Sequence, residues 1–298
     1  MNRYGVVPFL LVAVCAAGAR PSAEQHETLR QKALLVLRTA MDREARWVKV
    51  HAAEALLPVA DADAVARTFE RELASKGGEP EYRIGIWRVL AQNARIHQQH
   101  DAWTEKILAA FLDTRGPDRL HAAETLGKLG YRAGGREAEA FELAARTAPG
   151  PLAANARWVL ANSGQPDGDV RLAELLASED PGTRATAAYA VRHLPKLSAA
   201  AWNKLTAAVG KETGDNIVRA SLLSAAFVHA PADQQARFTA DLLEYARRGT
   251  KDEKYEVSGA LATAGRADDL PLLSGLLDDP NADVRIGAAN AIVRITAR

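Results

Sequence analysis

The chain has 298 residues, of which 61 are Ala, 21 Gly and 13 Pro, and 48% of the total are hydrophobic. This composition favours helices, and together with 25% charged residues it excludes a disordered polyelectrolyte and a membrane bundle. The 38 basic and 37 acidic side chains nearly cancel, so no global field attracts nucleic acid, and the one cysteine cannot form an internal disulfide.

The amino-terminal segment has the pattern of a secretory signal peptide. Arg3 precedes the mostly apolar run 6–17, and the sequence Ala-Gly-Ala at 17–19 provides the small residues of a cleavage site. We therefore predict a signal peptide over residues 1–19 and a mature domain over residues 20–298. The mature protein is expected in the periplasm or the medium, without a transmembrane segment.

Two alternatives for this segment stay open. An uncleaved anchor would need about 20 apolar residues, and the run is shorter than that. A lipoprotein acylated at Cys15 is the other alternative, because residues 12–15 resemble a lipobox, although Val14 stands where that motif has a small residue.

From residue 29 onward the chain repeats itself about every 34 residues. The eighth copy, 279–292, reads Asp-Pro-Asn-Ala-Asp-Val-Arg-Ile-Gly-Ala-Ala-Asn-Ala-Ile, and the fifth copy, 180–191, shares its turn, cation, paired alanines and closing aliphatic residue. Alanine replaces the cation in the fourth copy. The equivalent positions are Lys49, Arg83, Arg119, Ala153, Arg184, Arg219, Lys254 and Arg285.

Each copy has the pattern of a helical hairpin. An Asp-Pro turn separates a first helix from a second helix that has one broad apolar face, and this face needs neighbours on both sides to be buried. A glycine four residues beyond the closing aliphatic residue is expected to cap the second helix in a left-handed conformation. These glycines are Gly130, Gly164 and Gly265.

The motif Asp-Pro-x-x-x-Val-Arg-x-x-Ala-Ala-x-Ala-Ile resembles the second half of a short bacterial HEAT-like repeat. The tetratricopeptide and ankyrin signatures, which have nearly the same period, are absent from the sequence. The resemblance implies an all-α, right-handed, armadillo-type solenoid of about eight hairpins whose second helices line a concave face. It also implies a family whose usual role is binding, although a fold alone does not settle function.

The recurring cations are predicted to be structural. They stand at the edge of the apolar stripe, where their stems can be buried and their charged heads can pair with acidic turn residues. The sequence therefore predicts a ladder that includes Arg184, Arg219 and Arg285, next to Asp180, Asp215 and Asp279.

The face of the second helices opposite the apolar stripe is the candidate for partner binding. In the first four repeats it is polar, mixed in charge and flanked by Trp47 and Trp158, whereas Trp87 falls on the apolar stripe and is assigned to the core. Exposed Trp beside polar groups suits a peptide or a carbohydrate. The candidates are Trp47, His51, Glu54, Arg88, Gln92, His121, Glu124, Lys128, Asn155, Trp158 and Asn162.

Two His-x-x-Glu pairs in this row allow three interpretations. His51 with Glu54 and His121 with Glu124 could hold a metal, since residues three apart share a helix face, or they could belong to a ligand-binding face. Stacked helices would separate the pairs by roughly 20 Å, which is too far to share one ion. The third interpretation is an acid–base–acid ladder of Glu54, Arg88 and Glu124 between neighbouring helices.

Motifs for catalysis are absent: the sequence contains no phosphate-binding loop, no Cys/His zinc spacing and no nucleophile elbow. We predict an exported, non-catalytic scaffold that recognises a protein or a peptide on its concave face, with a carbohydrate as the alternative ligand. No cofactor, catalytic residue or nucleic-acid partner is predicted. The alternative is a metal-dependent or accessory enzyme factor that uses the His-x-x-Glu pairs.

Overall fold

The computed structural model describes residues 23–59, 61–214 and 216–298. The predicted signal peptide, Cys15 and Asp215 lie outside these ranges. Within them the chain forms sixteen α-helices and no strand, which confirms the all-α hairpin prediction. None of these helices combines the length and the apolar character needed to cross a membrane.

The helices form eight consecutive hairpins. The first helices of the hairpins are α1 Ala23–Arg43, α3 Ala62–Lys76, α5 His97–Leu112, α7 Gly135–Thr147, α9 Gly168–Glu174, α11 Ala199–Lys211, α13 Ala236–Arg248 and α15 Leu270–Leu276. The second helices are α2 Arg46–Leu56, α4 Tyr82–Asn93, α6 Arg119–Lys128, α8 Pro151–Asn162, α10 Pro181–Arg192, α12 Ile217–His229, α14 Lys251–Ala264 and α16 Ala282–Thr296. Short 3-10 turns follow α9 and precede α15.

The helix ends follow from local sequence. At the start of α10 the Asp180 carboxylate accepts a hydrogen bond from the Thr183 amide at 2.7 Å. Gly130 and Gly164 end their helices with φ of 68° and 73°, which confirms the predicted left-handed caps. The same prediction is wrong for Gly265, where φ is −66°. There the Arg298 guanidinium donates to the Gly265 carbonyl oxygen at 3.0 Å, so the end of α14 is satisfied by a side chain.

The second helices form a closed inner ring. Each packs on the next from α2 to α16, and α16 packs on both α1 and α2, so the last hairpin meets the first. At this seam Lys32 Nζ lies 3.1 Å from an Asp278 carboxylate oxygen. The chain is therefore a solenoid of eight hairpins that closes on itself, and the expected open concave face is absent from the part of the chain that the structure describes.

The recurring cations join successive hairpins, and the seam has the same type of contact. Arg184 donates to the Ser178 carbonyl in its own turn at 2.9 Å and pairs with Glu212 of the next hairpin at 3.1 Å. Arg285 of the last hairpin lies 3.6 Å from Glu44 of the first. The ladder is structural, but the acids that pair with these two arginines belong to the following hairpin rather than to the preceding turn.

Small residues set the spacing between the inner helices. The paired alanines of the repeat motif are completely buried, so the helix backbones approach closely. Larger apolar side chains fill the layer between inner and outer helices, where the rings of Phe111 and Phe141 stack with centroids 3.9 Å apart. The buried pairs are Ala52 and Ala53, Ala122 and Ala123, Ala187 and Ala188, and Ala288 and Ala289.

Candidate functional site

The predicted partner-binding row faces the interior of the ring. Trp158 is 1% exposed, Arg88 1% and Asn155 2%. The prediction that these three side chains lie on an open concave surface is therefore wrong. The physical reason is ring closure, because each inner helix turns this face toward the other inner helices instead of toward solvent.

Aromatic and imidazole rings fill the middle of the ring. The Trp47 ring lies 5.1 Å from the His121 ring, and the His51 ring lies 5.3 Å from the ring of Tyr255 on α14. Trp158 meets the Tyr189 ring edge-on, with centroids 5.9 Å apart. The first two contacts join helices that are not neighbours in the ring, so the centre is packed rather than open. We call this group of rings, together with Arg88, Glu54, Glu124 and Lys128, the axial cluster.

The charged residues of the axial cluster are paired. The Arg88 guanidinium donates from Nε to Glu54 Oε1 at 2.7 Å and from Nη2 to Glu54 Oε2 at 2.9 Å. Glu124 instead pairs with Lys128 of its own helix at 2.7 Å. The predicted ladder thus exists between Glu54 and Arg88. The second acid, Glu124, pairs directly with Lys128 instead of with Arg88.

The cations keep both acids ionised. Burial alone would raise the pKa of Glu124, but Lys128 and Arg88 outweigh burial and lower the pKa to about 2. Burial opposes ionisation of Glu54 in the same way, and Arg88 again lowers its pKa. The cluster therefore holds two carboxylates and two cations at neutral pH, in an arrangement that compensates their charges.

The two remaining tryptophan predictions had different outcomes. Trp87, which was assigned to the core, is only partly buried, and the Arg83 guanidinium lies 5.7 Å from its ring. Trp47 is partly buried beneath Arg88, whose guanidinium lies 5.7 Å from the Trp47 ring. Trp87 thus packs against the core as predicted, although part of its surface is exposed, whereas Trp158 is buried instead of facing outward.

Solvent reaches the axial cluster from the end of the ring where the inner helices finish. Three clefts of about 590, 520 and 800 Å³ open there. They are connected, because Gln92 and Lys128 line the first two and Lys128 and His193 line the last two. We call the connected clefts the end groove. Its lining includes His51, Glu54, Gln92, His97, His100, Lys128, Arg132, Trp158, Asn162, Asp169, Tyr189, His193, Lys196, Tyr255 and Arg294.

The end groove brings together some of the predicted residues and leaves others out. His51, Glu54, Gln92, Lys128, Trp158 and Asn162 line it. The remaining five belong to the interior or to the opposite end of the ring. They are Trp47, Arg88, His121, Glu124 and Asn155.

Several groove residues come from the last four repeats, whereas the predicted binding face was limited to the first four. Tyr189, His193, Tyr255 and Arg294 lie on the fifth, seventh and eighth hairpins. Desolvation by the surrounding groove and the neighbouring Arg192 cation lower the pKa of His193 below its usual range, although part of the residue is exposed. Tyr189, His193 and Arg294 occupy the same positions on their inner helices as the predicted residues occupy on theirs. They could be identified as groove residues only once the closure of the ring was known.

The His-x-x-Glu pairs do not form a ligand cage in this structure. His121 Nδ1 is 4.0 Å from Glu124, and both glutamates of the two pairs already bind cations. Across the described ranges no group of three or more His, Cys, Asp or Glu side chains is arranged to hold a metal ion.

Comparison with known proteins supports the repeat assignment. The family model "HEAT repeat" matches residues 270–298, which form the last hairpin. No curated protein matches the chain. A crystal structure of an engineered protein is similar to it at 17% identity and a TM-score of 0.32, with 92% of this chain and 84% of that chain covered. With two-helix units of this kind recurring around the ring, the chain has the fold of a HEAT-like helical-repeat solenoid.

Proposed function

We propose that this chain is an exported, non-catalytic scaffold that binds a segment of a partner protein in the end groove. The observation that carries the proposal is the continuity of the three clefts over the inner-helix ends. Ligand sites are typically concave, with a few polar groups that fix orientation. In this molecule the axial cluster provides those polar groups at the floor of the groove.

A protein or peptide fits the groove better than a carbohydrate does. The case for a sugar depended on a flat, exposed indole, and Trp158 has only 1% of its surface exposed. The groove also extends beyond the ring axis in two directions, from the His97 side to the Lys196 side. An extended segment can occupy that whole length, whereas one sugar ring would fill a single cleft.

The proposal is tested by photo-cross-linking in an envelope extract of the native host. A benzophenone amino acid replaces Gln92, which is exposed in the groove, and in a matched variant it replaces Leu35, which is 64% exposed on α1. We expect a discrete adduct from position 92 and none from position 35. Adducts that form only at position 35, or equally at both positions, would contradict binding in the groove.

Export is a separate part of the proposal, and it is supported by residues 1–19 alone. Cleavage after Ala19 would leave Arg20 as the first residue of the mature protein. Amino-terminal sequencing of protein from the native host checks this. Met1 retained in a soluble cytoplasmic pool would exclude export, and a diacylated Cys15 would establish the lipoprotein form.

A further inference from the structure

Three cations of the end groove have no acidic partner in the part of the chain that the structure describes. Arg132 and Lys196 are exposed, and neither makes a hydrogen bond or an ion pair there. Arg294 donates only to the side-chain oxygen of Asn290, at 3.0 Å. The Lys, Arg, Asp and Glu side chains that line the three clefts are five cations and two acids, so the lining has an excess of positive charge. The cations are Arg95, Lys128, Arg132, Lys196 and Arg294, and the acids are Glu54 and Asp169.

The acids that line the groove are occupied by the protein itself. Glu54 is held by Arg88 through two hydrogen bonds. Asp169 accepts a hydrogen bond from the Ser198 amide at 2.6 Å, at the start of α11, where the helix dipole favours a negative charge. Local partners therefore compensate the negative charges, while the three cations stay free, and the groove is electropositive.

The position of these cations along the groove defines the shape of the occupant. Arg294 borders the central cleft, whereas Arg132 and Lys196 border the cleft beside α8. Lys128 and His193 line both clefts and connect them. Carboxylates that face all three free cations therefore have to occupy two adjoining clefts, which suits a chain that carries several acidic side chains.

We propose that the end groove binds an extended acidic segment of the partner protein, with Arg132, Lys196 and Arg294 facing its carboxylates. This inference rests on the proposed function and adds the chemistry of the partner. Charges at the rim of an interface act chiefly on the association rate and on the salt dependence of binding. A nucleic acid is the competing polyanion, but the chain as a whole carries a net charge of only +1.

The inference is tested by fluorescence anisotropy with a labelled peptide of alternating Glu and Ser. A length of about twelve residues spans roughly 40 Å when extended. The test variant combines Arg132→Gln, Lys196→Gln and Arg294→Gln. The control variant combines Arg43→Gln, Arg67→Gln and Arg115→Gln, which remove the same charge from exposed positions outside the groove.

We expect the peptide to bind the native protein at about 50 mM salt and to bind more weakly as salt increases. The groove variant should bind at least about tenfold more weakly, and the control variant should stay within about twofold of the native protein. A peptide with Gln in place of Glu should not bind. Equal losses in both variants, or tighter binding of a single-stranded oligonucleotide of the same length, would overturn the inference.

The cross-linking experiment separates this inference from the proposed function. A partner that is captured at position 92 and is still captured after the three groove cations are neutralised would leave the scaffold function in place and refute the acidic segment. Absence of any adduct at position 92, together with tight peptide binding, would instead refute the scaffold function while the electropositive groove remained established.

Discussion

Gly127 gives the sharpest test of the packed ring interior. It is the penultimate residue of α6, and a Cβ atom placed on it would lie 2.5 Å from Cδ2 and 2.5 Å from Cε3 of Trp158. Non-bonded carbon atoms normally approach to about 3.5–4.0 Å. The indole would have to move by roughly 1 Å, yet it is enclosed and already meets Tyr189 edge-on.

The expected cost follows from two opposing effects. Replacing Gly by Ala in a helix gains up to about 1 kcal/mol from backbone entropy. Forcing extra volume into a packed interior costs about 1–3 kcal/mol. Since the displaced group is a buried indole, we expect Gly127→Ala to lower the free energy of unfolding by about 1–2 kcal/mol. Gly210 is the matched control: it is the penultimate residue of α11, it is exposed, and nothing lies within 4 Å of its added Cβ.

Urea unfolding followed by far-ultraviolet circular dichroism measures both variants. Gly210→Ala should stabilise the protein by about 0.5–1 kcal/mol, so the two substitutions should differ in sign. In a Trp158→Leu background the clash is removed, and Gly127→Ala should become neutral or stabilising, with a coupling energy of at least about 1 kcal/mol. If Gly127→Ala stabilised the native protein as much as Gly210→Ala does, Trp158 could not be packed against α6 inside the ring.

Three further predictions test the closure and the charges of the ring. A zero-length carbodiimide cross-linker should join Lys32 to Asp278 within one molecule, because their side-chain atoms are 3.1 Å apart, and mass spectrometry of monomeric protein detects the link. Arg88→Met should cost about 3 kcal/mol in urea unfolding, because it leaves a carboxylate in the ring interior without its cation. Burial alone would raise the pKa of Glu124, but Lys128 and Arg88 lower it to about 2, so its stabilising effect is complete above the unfolded value of 4.5 and is lost as pH falls toward 2. The stability difference between the native protein and Glu124→Gln should therefore shrink across that interval.

Each of these three predictions has an internal control. Lys204 and Glu174 lie 3.6 Å apart between neighbouring hairpins, with similar exposure to the seam pair, so their link reports that the reagent works. A link there without one at the seam would show an open solenoid. Arg248→Met changes an exposed arginine on α13 and should cost less than about 1 kcal/mol. If the stability difference between the native protein and Glu124→Gln stayed constant between pH 4.5 and 2, the Glu124 carboxylate would not be stabilised by cations.

Local features of the hairpin could be predicted from the sequence because their causes lie within one repeat. The Asp180 cap, the turn contacts of Arg184 and the paired alanines all depend on residues a few positions apart. Ring closure depends on small rotations that accumulate over eight hairpins, and no single repeat encodes their sum. The sequence therefore placed Trp158 on the correct helix face but could not show that other helices cover that face.

The candidate site also contains contacts that the sequence could predict and contacts that depend on closure of the ring. The pairing of Glu54 with Arg88 was predictable, because the two residues occupy equivalent positions on adjacent inner helices. The contact of His51 with Tyr255 joins the first hairpin to the seventh, and it exists only because the first and the last hairpins meet. A sequence pattern that treats the array as linear cannot identify such pairs.

The contact of α1 with α16 also determines when folding can finish. Helix α1, whose buried residues include Leu34 and Leu37, packs on α16 as well as on α2. During synthesis the part of α1 that contacts α16 stays uncovered until α16 has been made, although the intervening hairpins can already stack on one another. Joining the two ends requires closure of a loop of nearly the whole chain, which costs conformational entropy and slows this last step. A protein truncated before α16 would keep the other described helices and yet expose the surfaces of α1 and α14 that pack on α16, so α16 decides whether the ring can close.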